Sequence, residues 1–379
     1  MQQESKMSNQ HKKMAVFIAN YSINNSPSIL NFLSLMASHY SVDLYVRNCS
    51  LTEGLATFNP EIRVIEVGRA SSWRFLLTKL RHYSNSYDSY VCFDPHGLVL
   101  CDQVFPDAKP FYYSLELYLK DDHFGLDYTA EIAERERCVV QKISGLIIQS
   151  REKELLFRED YGLPASVPAF ILPVTGKGIA VHEKSDYLYN KYNISSDCKI
   201  ALHLGGIAQW FSCLEIAQIF GRMDKWVLFF QGYPDHRYLV EMKHKLTEQK
   251  ITNVIFTEEI FQTPDQLEPV LMSSCLGIAW YNDISLGFRT AGRSSGKIAS
   301  YLKFGLPIIT NTYPSMIEAI GKTGCGICID RINQIHDAVS AIEGNYADFA
   351  LNARKEYNQT YCFDSYSRDL MRFIRGSQY

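Results

Sequence analysis

The sequence predicts an α/β chain of two domains, each a doubly wound parallel sheet, and three observations lead there. Strand-like apolar runs alternate with helical patterns in both halves, the arrangement of parallel sheets with crossover helices. The chain has 379 residues, more than one ordinary core supports, so two domains of somewhat under ~200 residues are expected. Between the halves Pro164, Pro168, Pro173, Gly176 and Gly178 form a break, followed by the polar stretch 183–197. The expected organisation is a polar tail over 1–13, a first domain over 14–175, a second over 183–360 and a terminal segment over 361–379.

In the first half, Met14 to Ala19 opens as a strand and is followed by a polar turn and a helix from Ile29 to His39. Strands are expected at Val42 to Val46, Arg63 to Val67, Ser89 to Phe93, Pro110 to Tyr113 and Gly145 to Gln149, the last leading into a charged helix from Glu152 to Tyr161. The second half repeats the plan. Strand Lys199 to Leu204 meets the turn Gly205-Gly206 and a helix through Cys213 to Phe220. Trp226 to Gln231, Val254 to Phe256, Leu276 to Trp280 and Gly326 to Ile329 read as further strands, with a helix at Pro264 to Met272.

The run from Gly287 to Thr310 is the richest in chemistry. A loop of small and basic residues leads to Ser294 and Ser295, whose side chains suit a helix N-cap, so the free N–H groups of that helix face the loop. Helix N-termini bind anions, and Arg293 and Lys297 add positive charge. Gly305 stops the helix, Pro307 prevents its resumption, and Ile308 to Thr310 form a buried strand. Ligands of open parallel sheets sit beyond the carboxyl ends of the strands. Gly205, Gly206, Gln231, Gly232, Tyr281, Asn282 and the loop Ser294, Ser295, Gly296, Lys297 therefore share one rim. A lone Gly-Gly pair also serves as a plain strand-to-helix turn, and Asn282 as a plain loop exit.

Composition excludes several classes. With 46% hydrophobic and 21% charged residues, the chain reads as a soluble globular enzyme, and no apolar run approaches the ~18 residues that span a bilayer. A net charge of −3 gives no general attraction to nucleic acid. The first 13 residues lack the apolar segment of a secretory signal, so a cytoplasmic location is expected. Ten scattered cysteines form no disulfide framework, and Cys325-Gly326-Ile327-Cys328 has no second ligand pair, so no metal site and no cofactor are expected.

The order of elements resembles that of the GT-B glycosyltransferases, and the second half is similar to their retaining, family 4-like group. The resemblance rests on Leu202-His203-Leu204-Gly205-Gly206, Phe229-Phe230-Gln231-Gly232, Val254-Ile255-Phe256, Ser274 to Ala279, and Ser295-Gly296-Lys297 through Ile309. It implies two Rossmann-like domains facing a central cleft, with the segment around Phe363 to Leu370 returning as a helix to the first domain. It also implies a nucleotide-sugar donor as substrate, its diphosphate on Ser294, Ser295, Gly296 and Lys297, with Phe256 and Thr257 bordering the base unless Phe256 belongs to the core. Many family 4-like enzymes carry Glu-x7-Glu here, for the donor sugar and the ribose. Counting back from Gly305 puts Gly292 and Ser300 at those positions. Both acids are missing, and Ser300 is the remaining polar candidate.

For catalysis, Phe111 to Glu116 resembles the family strand whose acid faces the cleft. Glu116 is thus a candidate base for an acceptor hydroxyl, or else an acid at an ordinary helix start. Asp94 and His96, in Asp94-Pro95-His96-Gly97 at another strand end, are equal candidates. No Asp-x-Asp motif is present, so metal-independent transfer is expected. The resemblance implies a glycan or lipid-linked glycan as acceptor, in bacterial surface polysaccharide assembly. Trp73, Leu76, Leu77 and Leu80 at helical spacing, with Arg69, Arg74, Lys79, Arg81 and His82 around them, suit either a packed helix or peripheral membrane contact. The alternative function is a catalytically silent GT-B subunit that stabilises a partner transferase.

Overall fold

The computed structural model describes residues 12–49, 60–68, 87–120, 128–257, 259, 261 and 264–376. The helix expected around Trp73 lies outside them. The chain divides into two units, Met1–Ile171 with Ser367–Tyr379, and Leu172–Tyr366.

The first unit is built on seven parallel strands in the order β3-β2-β1-β4-β5-β6-β7. They are β1 Lys12–Ala19, β2 Tyr40–Arg47, β3 Ile62–Glu66, β4 Ser89–Phe93, β5 Phe111–Tyr113, β6 Gly145–Ile148 and β7 Ala169–Ile171. Central strands buried on both faces explain their continuous apolar runs; Met14 to Ile18 are wholly buried. β7 is a correction, because it occupies three residues of the stretch read as a break. Asp94-Pro95-His96-Gly97 also does not end a strand; it opens the helix Asp94–Val104 directly after β4. Pro95 fits the first turn, where its missing N–H costs nothing. Gly97 is required there because a Cβ would lie 2.5 Å from the Phe17 carbonyl oxygen of β1. Helix Arg151–Tyr161 begins at Ser150, whose Oγ accepts from the Lys153 N–H at 3.1 Å, and ends at Gly162 with φ +61°.

One buried acid stands out in this unit. Glu136, on helix Ala130–Val140, is 1% exposed and accepts from the hydroxyls of Tyr112, Tyr128 and Tyr161 at 2.6, 2.7 and 2.8 Å. Burial raises its pKa to about 7 against the pull of those three donors. The terminal helix, Ser367–Ile374, belongs to this unit, with Phe373 packed on Phe111 and Phe170 at ring distances of 5.3 and 5.5 Å.

The second unit has six parallel strands in the order β10-β9-β8-β11-β12-β13. They are β8 Lys199–Leu204, β9 Trp226–Gln231, β10 Val254–Phe256, β11 Leu276–Ala279, β12 Ile308–Asn311 and β13 Gly326–Ile329. Alternation along the strands feeds two cores, one on each face: Ile200, Leu202 and Ile308 join one, Ala201, Phe230 and Ile309 the other. Helix Gly296–Lys303 is anchored by Tyr301. Its buried hydroxyl accepts from the Leu204 N–H at 2.8 Å and lies 2.9 and 3.2 Å from the carbonyls of Leu202 and Ile278. A Cβ on Gly277 would lie 2.4 Å from this ring, so the tyrosine reaches the sheet only over a bare backbone.

Candidate anion and nucleotide site

Helix Gly296–Lys303 starts at Ser295, whose Oγ accepts from the Ile298 N–H at 3.4 Å. Ser294 does not cap; its hydroxyl reaches back to the Thr290 carbonyl. The Ser295 hydroxyl also lies 2.5 Å from that of Tyr281 at the end of β11. Tyr281 is itself held by its N–H to Asn311 Oδ1 at 2.8 Å and by Tyr313 on its carbonyl at 2.9 Å.

Lys297 follows the cap. Its stem is half-buried, but Nζ is closed off from solvent and has no hydrogen-bond partner. The ammonium lies 4.1 Å from the ring centre of Phe211 and 4.9 Å from that of Tyr281. Aromatic faces recover part of the lost hydration. Desolvation lowers the lysine to about pKa 8, with the Cys213 thiol pulling slightly upward, so the group remains mostly charged at pH 7. Gly205 lies beside it; a Cβ there would make only ordinary contact, 3.7 Å from Lys297 Cε and 3.8 Å from Nζ, and it is the φ of +95° that calls for glycine. Gly232 is as constrained, since a Cβ on it would come within 1.9 Å of the Gly205 carbonyl oxygen.

Two further polar atoms at these strand ends are buried without partners. Gln231 donates from Nε2 to the Glu259 carbonyl at 2.9 Å, which leaves Oε1 unpaired. His203, absent from the sequence candidates, donates from Nε2 to the Gly206 carbonyl at 3.0 Å and leaves Nδ1 unpaired. Burial, then the Lys297 charge, lower His203 to about pKa 3, so it is a neutral imidazole. Buried polar atoms without partners are uncommon in native folds, and three at one rim make it the candidate ligand site.

Several other candidates have partners within the protein. Asn282 donates from its backbone to the Trp210 carbonyl at 2.9 Å and from Nδ2 to the Gln209 carbonyl at 3.0 Å. Its Oδ1 accepts from Ser212 at 2.9 Å and from Trp280 Nε1 at 3.0 Å. It fixes the turn Gln209–Phe211 and has little left for a sugar. Phe256 is half-buried, stacks on Phe230 at 5.0 Å and packs against the core of this face. Thr257 is buried, its hydroxyl accepting from the Glu259 N–H at 3.0 Å. Arg293 is exposed and Ser300 half-buried. At Gly292 a Cβ would lie 2.2 Å from the Ser315 carbonyl oxygen, so an acid at this position has no room.

The first unit gathers a second cluster at the ends of β4, β5 and β6. Asp94 is buried at φ +54°, and its Oδ1 accepts from the N–H groups of Leu115 and Glu116 at 2.7 and 3.0 Å. Burial, then the neighbouring Glu116 charge, raise it to about pKa 8, so it carries a proton at neutral pH. Glu116 lies in a loop, not a helix, and is open to solvent by area; protein crowded around it raises its carboxyl while Lys153 pulls it back. Lys153, another residue the sequence did not single out, is 2% exposed and donates to Gln149 Oε1 at 3.3 Å. Desolvation lowers its pKa, with Glu116 and Asp94 opposing. His96 is half-buried on the first turn of its helix. Among the described residues no group of three or more His, Cys, Asp or Glu could hold a metal ion, and no helix is long and apolar enough to cross a membrane.

Residues 229–360 match the family described as Glucosyltransferase 3-like, C-terminal domain. No curated protein matches by sequence. Similar solved structures include HepE from Anabaena in complex with UDP and glucose, at 11% identity, TM-score 0.75, covering 97% of this chain and 100% of that one. WaaG, a glycosyltransferase involved in lipopolysaccharide biosynthesis, matches at 14% identity, TM-score 0.67, covering 96% and 100%. Sucrose-phosphate synthase from Thermosynechococcus elongatus matches at 11% identity, TM-score 0.69, covering 96% and 98%. Two parallel sheets in these strand orders, over nearly the whole length of such structures, give this chain the GT-B fold seen in glycosyltransferases, and residues 229–360 are similar to the glucosyltransferase 3-like C-terminal domain.

Proposed function

We propose that the chain is a glycosyltransferase that moves a sugar from a nucleotide-sugar donor to a glycan or lipid-linked glycan, in the cytoplasm, during surface polysaccharide assembly. One observation carries this reading: a buried, unpaired ammonium, Lys297, beside the N-terminus of a helix. Such a group calls for an anion, and the donor's diphosphate supplies one. The flexible lysine stem lets Nζ turn from its aromatic neighbours, Phe211 and Tyr281, to the phosphate. HepE has been solved with UDP-glucose, which favours a nucleotide sugar over free phosphate, and the involvement of WaaG in lipopolysaccharide biosynthesis favours a surface glycan.

In this reading the bond from the anomeric carbon to the diphosphate breaks with its electron pair on the phosphate oxygen. Lys297 and the helix N–H groups receive that charge without a metal. The acceptor oxygen bonds to the anomeric carbon and gives its proton to Glu116, the solvent-open acid; protonated Asp94 holds the loop of Glu116 in place. Melting curves with UDP-, GDP-, dTDP- and CMP-sugars in EDTA test this. One donor at ~100 times its Kd should stabilise the protein by about 2.7 kcal/mol. No shift with any donor assigns the silent-subunit role instead, and a shift lost in EDTA overturns metal independence. Glu116→Gln should lower kcat at least ~100-fold. Asp94→Asn, which keeps an acceptor for both N–H groups, should stay within roughly threefold of wild type; the reverse ranking makes Asp94 the base.

A further inference from the structure

Beside the anion site lies a surface that diphosphate binding does not explain. Among the described residues eight large hydrophobic side chains are exposed, and the two aromatic ones, Trp210 and Tyr233, are 43% and 49% exposed on adjacent loops. A third member of the eight, Ile284, is 58% exposed on the next loop. Two hydrogen bonds lace the three loops together, and a third tightens the loop of Ile284. Ile207 N–H donates to the Tyr233 carbonyl at 2.9 Å, Asn282 N–H to the Trp210 carbonyl at 2.9 Å, and Ile284 N–H to the Asn282 carbonyl at 2.9 Å.

The turn that presents Trp210 is fixed more firmly than a surface turn requires. Asn282 grips it at Gln209, Trp210 and Ser212, and Ser212 is held at φ +49°, a conformation that costs a non-glycine residue energy. Its inner residue, Phe211, covers the Lys297 ammonium, and its outer residue, Trp210, faces solvent. One rigid turn thus joins the anion site to an open aromatic face.

We infer that Trp210 and Tyr233 form a carbohydrate platform that takes a pyranose ring of the acceptor. The C–H face of a pyranose is apolar and weakly positive, and an indole or phenol face is apolar and negative, so the two stack while the sugar hydroxyls stay in water. Continuity with the anion site favours a sugar over a protein partner. The exposure of both residues favours the acceptor over the donor sugar, which is tethered to the diphosphate beside buried Nζ. The inference rests on the transferase reading, but its test reads saccharide contact separately from donor binding.

Saturation-transfer NMR on the full chain, with UDP bound and methyl glycosides of glucose, galactose and N-acetylglucosamine as probes, provides that test. At least one glycoside should show transfer to its axial ring protons, reduced fivefold or more in Trp210→Ala and in Tyr233→Ala, with the affinity for UDP within twofold of wild type. No transfer with any glycoside in the wild type, or equal transfer in the variants, overturns the platform. Loss of the signal when UDP-glucose replaces UDP assigns the rings to the donor sugar, and a change of oligomeric state in Trp210→Ala assigns them to a protein interface; both overturn it. Failure of the wild type to bind UDP would instead count against the UDP form of the transferase reading.

Discussion

Lys297→Met should raise the melting temperature of the ligand-free protein and abolish nucleotide-sugar binding. Burial lowers the folded-state pKa from 10.5 to about 8, a shift equivalent to roughly 3 kcal/mol. Below pH 8 the lysine is charged in both folded and unfolded states, and the fold bears the whole cost of burying the charge. As pH rises from 8 toward 10.5 the folded protein sheds the proton first, and the cost falls away. Methionine removes the charge but also the attraction to Phe211 and Tyr281, about 1 kcal/mol. A net gain of about 2 kcal/mol at pH 7, roughly 5 °C, is expected, shrinking by pH 10. Wild-type donor affinity should weaken as pH rises above about 8, because the ammonium is the form that pairs with phosphate. Calorimetric melts and titrations at pH 7 and 10 check all three; a less stable variant, or one that still binds donor, removes Lys297 from the centre of the site.

Gly292→Glu, which restores one acid of the family 4-like pair, should unfold the loop and gain no activity. The new Cβ would fall 2.2 Å from the Ser315 carbonyl oxygen and 3.2 Å from Ala319 Cβ. Both its backbone groups are also engaged, the N–H with Ser315 Oγ at 3.4 Å and the carbonyl with the Tyr361 hydroxyl at 2.8 Å. The chain cannot move away without breaking these bonds, so a loss of about 3 kcal/mol or more is expected. Gly292→Ala should lose nearly as much, since the clash belongs to the Cβ and not the carboxylate. Denaturant melts of the two variants separate this steric account from an electrostatic one, which would spare the alanine variant.

The sequence made the second sheet legible because its strands are bounded by strong punctuation. Lys199–Leu204 runs into Gly205-Gly206, Trp226–Gln231 into Gly232, and the helix after Ser295 into Gly305 and Pro307. Helix Ala130–Val140 was not legible, because its buried stripe of Ala133, Glu136, Val139 and Val140 includes an acid that only three distant tyrosines make tolerable. At the site, Lys297 could be read from its place after a cap. Its burial could not, since Phe211 comes from a turn 86 positions earlier whose direction depends on Asn282. His203 lies inside the strand Lys199–Leu204 without a signal, because alternation tells which face a residue takes and not which of its nitrogens lacks a partner.

The seat of Tyr301 over Gly277 bears on how this protein changes over generations. A ring pressed on a bare backbone, with its hydroxyl joined to two strands, makes the two positions a single heritable unit. A side chain at Gly277 is tolerated only after Tyr301 shrinks, and a smaller residue at 301 first leaves a void and an unmet N–H. Each single step is harmful while the pair is not, so descendants should keep both residues or replace both, and helix Gly296–Lys303 inherits its position from that constraint.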